Sequence, residues 1–227
     1  MDPVIQYYDQ LAPSYDENRF KHSYGQFIDV QERYFLDSLI QGQDKKILEL
    51  ACGTGRLSHY AQTGVDASLP MIREAQKKHS GKNFLVANAR ELPFQDASQD
   101  IIYAFHFFMH LERPAIESIL AECSRILKPA GRLIFDIPSL RRRQLLNYRA
   151  TSWHGASSFS IKDFHALQKH QLKLLSLHGL LFLPIHHFPA KSRKYLLTLD
   201  RCLANSFCKS FSSYLIASFE KECAPSN

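Results

Sequence analysis

Residues 45–58 read KKILELACGTGRLS and predict a buried strand, a glycine turn and the start of a helix, in that order. Residues 47–50 supply a short apolar run of strand length. Gly53 and Gly55 follow at once, where a sharp turn favours residues that have no side chain. A helix that begins after Gly55 would direct its free N–H groups toward the tip of the strand. The stretch therefore predicts a nucleotide-type binding site in an α/β fold.

A second predicted strand ends in a carboxylate. Residues 64–68 read GVDAS, so Asp66 closes this strand. A dinucleotide-binding turn would carry a third glycine at the position of Ser58, which this chain lacks. A carboxylate at the end of the second strand can accept hydrogen bonds from both hydroxyls of a ribose. The two strands together favour a ligand that contains a ribose.

The order of these motifs resembles the class I S-adenosylmethionine-dependent methyltransferases of the small-molecule type, from about Gln43 to Ile137. Five segments carry the likeness, in chain order: residues 47–55, 65–72, 88–94, 100–111 and 125–132. The resemblance implies an α/β fold with a Rossmann-like, seven-stranded, mostly parallel sheet flanked by helices. It adds an N-terminal helical cap and a small C-terminal cap insertion. It also implies an enzyme that uses S-adenosylmethionine and releases S-adenosylhomocysteine.

The same resemblance indicates which residues hold the cofactor. Tyr15 matches a tyrosine that closes the site from an N-terminal segment, and Arg19 is a candidate partner for the cofactor carboxylate. Asp66 takes the ribose-binding position. The other expected cofactor contacts lie at strand ends and in the turns that follow them: Glu49, Ala51, Cys52, Gly53, Gly55, Ala67, Ser68, Met71, Asn88, Ala89, Arg90, Ala104 and Phe105.

Asn88 departs from the family pattern, which usually has aspartate at this position. Its carbonyl oxygen can accept from an adenine amino group, while its NH₂ group donates. We expect cofactor binding to survive in weakened form. The alternative is that Asn88 serves only as a turn residue.

Two histidines follow the predicted fourth strand, where ligands of an open α/β sheet bind. His106 and His110 are therefore candidates for a base or an orienting group on the acceptor side, and Tyr15 is a third catalytic candidate. Methyl transfer depends mainly on positioning, so a base is needed only if the acceptor still holds its proton. The alternative for either histidine is a structural role.

Composition excludes several classes of protein. The chain has 227 residues, of which 45% are hydrophobic and 22% charged, as in an ordinary globular protein. No apolar run approaches the roughly 18 residues of a membrane helix, and the first residues lack a signal segment, so the predicted location is the cytoplasm. The five cysteines form no Cys-x-x-Cys pair, so we expect reduced thiols, no disulfide and no metal site.

Positive charge is concentrated in the last third of the chain. Residues 139–227 hold 13 Lys and Arg against 4 Asp and Glu, whereas residues 1–138 hold 15 against 18. This balance favours an anionic partner, with Arg141–Arg143 and Trp153 in the substrate-facing segment. The alternative is a solvated basic face.

The predicted organisation has three parts. Residues 1–40 form a cap of two helices joined around Pro13, residues 41–138 form the cofactor-binding core, and residues 139–227 form the C-terminal part. Within the core, residues 56–62 are predicted to be a two-turn helix. Within the C-terminal part, residues 188–210 form a helical insertion, interpreted as a cap or a dimer contact in a monomer or homodimer.

Three functions are compatible with this sequence. The first is methyl transfer to O, N or C of a small or carrier-bound, anionic metabolite. The second is RNA methylation, because phosphate contacts need a cationic track. The third is a non-catalytic, cofactor-binding partner subunit.

Overall fold

A computed structural model describes residues 2–41, 44–150, 152–153 and 155–223. Gln43, where the resemblance begins, lies outside the described residues. In these residues seven strands form one sheet in the order β3-β2-β1-β4-β5-β7-β6. The strands are β1 Ile47–Leu50, β2 Thr63–Asp66, β3 Asn83–Val86, β4 Gln99–Ala104, β5 Leu127–Pro138, β6 Leu172–Leu180 and β7 Tyr214–Lys221. Only β7 runs antiparallel to its neighbours, so the predicted mostly parallel, seven-stranded sheet is confirmed.

Helices cover both faces of the sheet. They are α1 Pro3–Leu11, α2 Tyr15–Phe20, α3 Ser23–Leu39, α4 Leu69–Lys78, α5 Arg113–Ile126, α6 Leu140–Leu145, α7 Ile161–Ala166 and α8 Leu197–Ala204. The alternation of side chains along β4 shows the two cores. Ile102 and Ala104 join the apolar cluster of α5, while Ile101 and Tyr103 join that of α3. A parallel sheet buried in this way positions its strand ends rigidly for a binding site.

The N-terminal cap contains three helices rather than the predicted two. A short 3₁₀ turn, Ala12–Ser14, contains Pro13 and separates α1 from α2. A further break follows α2, because His22 caps the start of α3 by accepting from the Gly25 N–H at 3.3 Å. The second predicted helix is therefore divided into α2 and the longer α3.

The predicted helix at residues 56–62 is wrong. The crossover from β1 to β2 has only 12 residues, which is near the minimum for joining parallel strands. The segment instead forms successive i to i+3 turns, in which Ser58 N donates to Gly55 O at 3.2 Å and Ala61 N to Ser58 O at 3.3 Å. The helix dipole expected to face the ligand is therefore missing.

The C-terminal part is less helical than predicted. Residues 188–210 hold the short helix α8 preceded by a 3₁₀ segment, Ala190–Leu196. Tyr195 is 75% exposed and Phe207 is 95% exposed, whereas Leu196 packs against the apolar cluster of α3. Among the described residues, no helix has the length and apolar character to cross a membrane.

Candidate functional site

The turn after β1 leaves its main chain accessible at one glycine. Gly53 has φ +52° and Gly55 has φ +76°, conformations that glycine adopts without strain. A Cβ added to Gly53 would meet only the Met71 sulfur, at 4.0 Å, whereas one added to Gly55 would lie 3.1 Å from the Ala75 Cβ. Gly53 therefore offers a ligand close approach, and Gly55 allows the turn to pack on α4.

Asp66 joins this turn to the end of β2. Its Oδ2 accepts from Gly53 N at 2.8 Å, and its Oδ1 accepts from Ser68 N at 2.9 Å. Burial raises the pKa of Asp66, and these backbone N–H groups oppose that rise. Each carboxylate oxygen keeps a further lone pair, so the group can still accept ligand hydroxyls.

Side chains replace the missing helix after the turn. A helix would use its own N–H groups to satisfy the carbonyl oxygens of residues 54–61, but here side-chain donors reach them. The acceptor and donor pairs are Thr54 O with Lys78, Gly55 O with His79, Arg56 O with Arg33, Leu57 O with Tyr103, and both His59 O and Ala61 O with Lys82. The turn is therefore supported from α4 and α3 rather than by a helix of its own.

Beneath the turn, Glu49 is only 5% exposed. Its Oε2 accepts from the Ser58 hydroxyl, and no cationic side chain of the described residues forms an ion pair with it. Burial raises the pKa of Glu49 to about 7 against the opposing effect of the Ser58 hydrogen bond. The structure thus positions Glu49 as a support for the loop below the predicted ligand.

The N-terminal cap is fastened over the turn by two aspartates. The Ser68 hydroxyl donates to Asp9 at 2.6 Å, and the Thr54 hydroxyl donates to Asp16 at 2.6 Å. The Lys78 ammonium also contacts Asp16. The Ser68 and Thr54 contacts bring α1 and α2 onto the strand ends, where the resemblance predicts that a cap should lie.

Tyr15 lies in this cap, with its ring centroid 6.1 Å from that of Tyr8, and burial raises its pKa. Arg19 is exposed, and its Nη2 donates to the Tyr7 hydroxyl at 3.4 Å. Tyr15 is therefore brought to the site, whereas Arg19 stands at its rim.

His110 and Tyr8 form a pair at the inner face of the cap. The Tyr8 hydroxyl lies 2.9 Å from His110 Nε2, and Gly155 N donates to His110 Nδ1 at 3.3 Å. Because Nδ1 accepts, the neutral ring carries its proton on Nε2 and donates it to the Tyr8 oxygen. The Tyr8 proton is then directed elsewhere. The Trp153 ring stands against His110, with centroids 5.5 Å apart.

His106 is held in a buried ion network formed by Glu32, Arg56, His106 and Asp136. Its Nε2 lies 2.5 Å from Glu32 Oε1, and its Nδ1 lies 3.4 Å from Asp136 Oδ2. Burial opposes the charge on His106, but the two carboxylates outweigh it and raise its pKa. Both ring nitrogens therefore face carboxylates, and this arrangement disfavours His106 as a general base.

The remaining predicted contacts line the site to different degrees. Asn88 is exposed, and its Oδ1 accepts from Arg90 N at 3.0 Å, so it stabilises the turn after β3. Ala104 is fully buried and Phe105 is 9% exposed. Cys52 packs into an apolar cluster under α4. Ala51, Ala67 and Ala89 lie in the turns that follow β1, β2 and β3, and Met71 is buried in the first turn of α4.

Sequence reasoning missed Glu32 and Asp136. Glu32 occupies the buried face of α3, four residues from Ile28 and from Leu36, where an amphipathic helix would carry an apolar residue. Asp136 lies near the end of β5, in the same row of strand ends as Asp66. A charged residue at an inward helical position was the available signal for Glu32.

Residues 48–135 match the family model described as a methyltransferase domain. A Thermotoga maritima protein named demethylmenaquinone methyltransferase is 32% identical over 140 residues, which is 58% of this chain and 59% of that protein. This chain spans between 52% and 59% of the length of four curated relatives that it matches.

Two solved structures share the fold. One is a Thermotoga maritima S-adenosylmethionine-dependent methyltransferase described as a possible histamine N-methyltransferase, with TM-score 0.73 and 21% identity over 95% of this chain and 98% of that chain. The other is the [4+2]-cyclase SpnF, with TM-score 0.69 and 16% identity over 97% of this chain and 96% of that one. Since the second is named a cyclase, fold alone does not fix the reaction.

The sheet order and the turn after β1 define a Rossmann-like α/β protein with its site at the carboxyl ends of the strands. The domain match adds that residues 48–135 of this fold are similar to methyltransferase domains.

Proposed function

We propose that this protein transfers the methyl group of S-adenosylmethionine to O, N or C of a small-molecule acceptor. The observation that carries the proposal is the contact between the Asp66 carboxylate and the Gly53 N–H at 2.8 Å. It joins the ribose-type acceptor at the end of β2 to the accessible turn after β1. The relative from Thermotoga maritima is named for a small-molecule acceptor, demethylmenaquinone, which supports the same class of substrate.

The residues present fit the cofactor. Open space beside Gly53 can take its amino-acid part, the Asp66 oxygens have lone pairs for the ribose hydroxyls, and Asn88 with Met71 can flank the adenine. When bound, S-adenosylmethionine supplies an electrophilic methyl group on a sulfonium centre. Tyr15 and the cap exclude water from that centre.

Tyr8 and His110 orient the acceptor. His110 donates to the Tyr8 oxygen, so the Tyr8 hydroxyl is free to donate a hydrogen bond to an atom of the methyl acceptor beside it. Such positioning supplies much of the rate of methyl transfer. The buried ion network, in contrast, stabilises the fold behind the site.

A small acceptor is favoured over RNA by the cap. Asp9 and Asp16 tie the cap to Ser68 and Thr54, so the cap lies over the strand ends. In addition, Arg142 of the basic run donates to the main-chain carbonyl oxygens of Phe182 and Phe211, so it is held within the protein rather than aligned for phosphate contacts.

The test is calorimetric titration of the purified protein with S-adenosylmethionine and S-adenosylhomocysteine, at two salt concentrations and with or without bulk RNA. We expect micromolar binding of both that is indifferent to RNA. Absence of heat with either ligand would overturn the proposal.

Replacing Asp66 with alanine should weaken cofactor binding by about 1.5–3 kcal/mol, the cost of losing charge-assisted hydrogen bonds. This corresponds to a rise in Kd of roughly tenfold to 150-fold. Asp66→Asn keeps one acceptor oxygen, so its Kd should lie between those of the wild type and Asp66→Ala. Asp96→Asn, at an exposed carboxylate paired with Arg125, is the matched control and should bind normally. An unchanged Kd for Asp66→Ala would remove the ribose assignment.

A further inference from the structure

Arg143 is a half-buried cation that has no carboxylate partner among the residues the structure describes. Its Nη1 donates to Gly155 O at 2.5 Å and to Ser157 O at 3.1 Å. Among the described residues it forms no ion pair, and its Nε and Nη2 have no hydrogen-bond acceptor. Burial lowers its pKa, as expected for a cation that lacks a neighbouring anion.

The free edge of Arg143 stands next to the predicted acceptor site. Gly155 connects the two, since its carbonyl oxygen accepts from Arg143 while its N–H donates to His110. A Cβ on Gly155 would lie 3.1 Å from Arg143 Nη2, so the absent side chain leaves the guanidinium room. One residue therefore separates the unpaired cation from the Tyr8–His110 pair.

The surroundings of Arg143 are aromatic. Its guanidinium lies over the Tyr148 ring, 4.8 Å from the centroid, and it interacts electrostatically with Tyr214. On the other side of Gly155, Trp153 and Tyr8 pack against His110. Flat walls beside a planar guanidinium suit a planar acid, because the two N–H donors of arginine match the two oxygens of a carboxylate.

We propose that Arg143 forms an anion subsite that binds a carboxylate on the methyl acceptor, an aromatic acid. The assignment deepens the proposed function and rests on it for the role of the Tyr8–His110 pair. With the carboxylate at Arg143, the atom that receives the methyl group lies toward Tyr8.

The only tryptophan of the chain, Trp153, reports on this subsite. Its fluorescence is to be quenched with iodide, an anion, and with acrylamide, a neutral molecule. An uncompensated charge raises the local concentration of iodide, so Arg143→Gln should lower the ratio of the iodide to the acrylamide quenching constant by about twofold. Arg141→Gln, on the same helix but exposed and stacked on Phe211, should leave the ratio unchanged. An equal ratio in Arg143→Gln and the wild type would overturn the subsite.

Competition identifies the anion. Benzoate should suppress iodide quenching at lower concentration than inorganic phosphate, and neutral benzamide should not suppress it. Phosphate acting more strongly than benzoate would overturn the carboxylate assignment. Arg143→Lys keeps the positive charge and tests the subsite if Arg143→Gln does not fold. It should still attract iodide but should lose the preference for benzoate over phosphate. Cofactor binding is measured separately, by titration. A failed quenching test would therefore contradict the anion subsite alone, and a failed cofactor titration would contradict the methyltransferase proposal.

Discussion

Glu32→Gln is expected to lower the free energy of unfolding by about 3–5 kcal/mol at neutral pH, the usual cost of removing one partner from a buried ion pair. The Glu32 side chain is 0% exposed and contacts the Arg56 guanidinium, with Nη2 at 2.5 Å, and the His106 imidazole, with Nε2 at 2.5 Å. Glutamine would leave the Arg56 cation buried with less compensation. Urea unfolding followed by circular dichroism measures the change.

The pH dependence of this loss has a definite sign. Burial alone would raise the pKa of Glu32, but Arg56 and His106 lower it from 4.5 to about 2. Its stabilisation is therefore complete above pH 4.5 and is lost as the pH falls toward 2. The gap between the variant and the wild type should narrow over that range. Glu17→Gln, at an exposed pair with Lys21, is the control and should not move the unfolding midpoint. A loss that is the same at pH 7 and pH 3 would contradict the ion-pair explanation.

Glu49→Gln is expected to act in the opposite direction and stabilise the protein by about 2–3 kcal/mol at pH 8. Glu49 is buried like Glu32 but has the Ser58 hydroxyl as its donor, and no cation of the described residues forms an ion pair with it. Ionising it inside the protein therefore costs free energy that a neutral amide does not cost, while the amide oxygen can still accept from Ser58.

The direction of the pH dependence again follows from the shift in the pKa of Glu49. Burial raises the pKa of Glu49 from 4.5 to about 7, so the neutral form is favoured in the folded state. This contribution is complete below pH 4.5 and is lost as the pH rises to about 7. The variant should match the wild type near pH 4.5 and exceed it above pH 7. Glu32→Gln is the matched control, since the same chemical change should there destabilise. Equal stability of Glu49→Gln and wild type at pH 8 would show that the Glu49 charge is compensated.

Much of the core could be predicted from the sequence because its signals are local. Residues 47–50 form an apolar run of strand length at β1, and Ile116, Ile119, Leu120 and Cys123 recur at helical spacing along the buried face of α5. Serine is a common residue before a helix, and the Ser68 hydroxyl caps α4 by accepting from Met71 N at 3.2 Å. The cofactor roles assigned to these strand ends stay predictions.

The crossover at residues 56–62 could not be predicted in this way. Its sequence follows a glycine turn that usually opens a helix, but its carbonyl oxygens are satisfied by Lys78, His79 and Lys82, which come later in the chain. Which donors will reach a loop depends on packing between elements. The short length of the crossover was the only local feature that argued against a helix.

The mostly parallel α/β fold, the glycine turn at Gly53 and the acidic end of β2 at Asp66 could be inferred from local sequence, because they depend on neighbouring residues and on the period of the pattern. The partners of the charged groups depend instead on how the elements pack together. Glu32 pairs with Arg56 and His106, Glu49 does not pair, and Arg143 is left beside His110 with a free edge. Electrostatic and hydrogen-bond energies depend on distance and burial, and both are set by residues far apart in the chain.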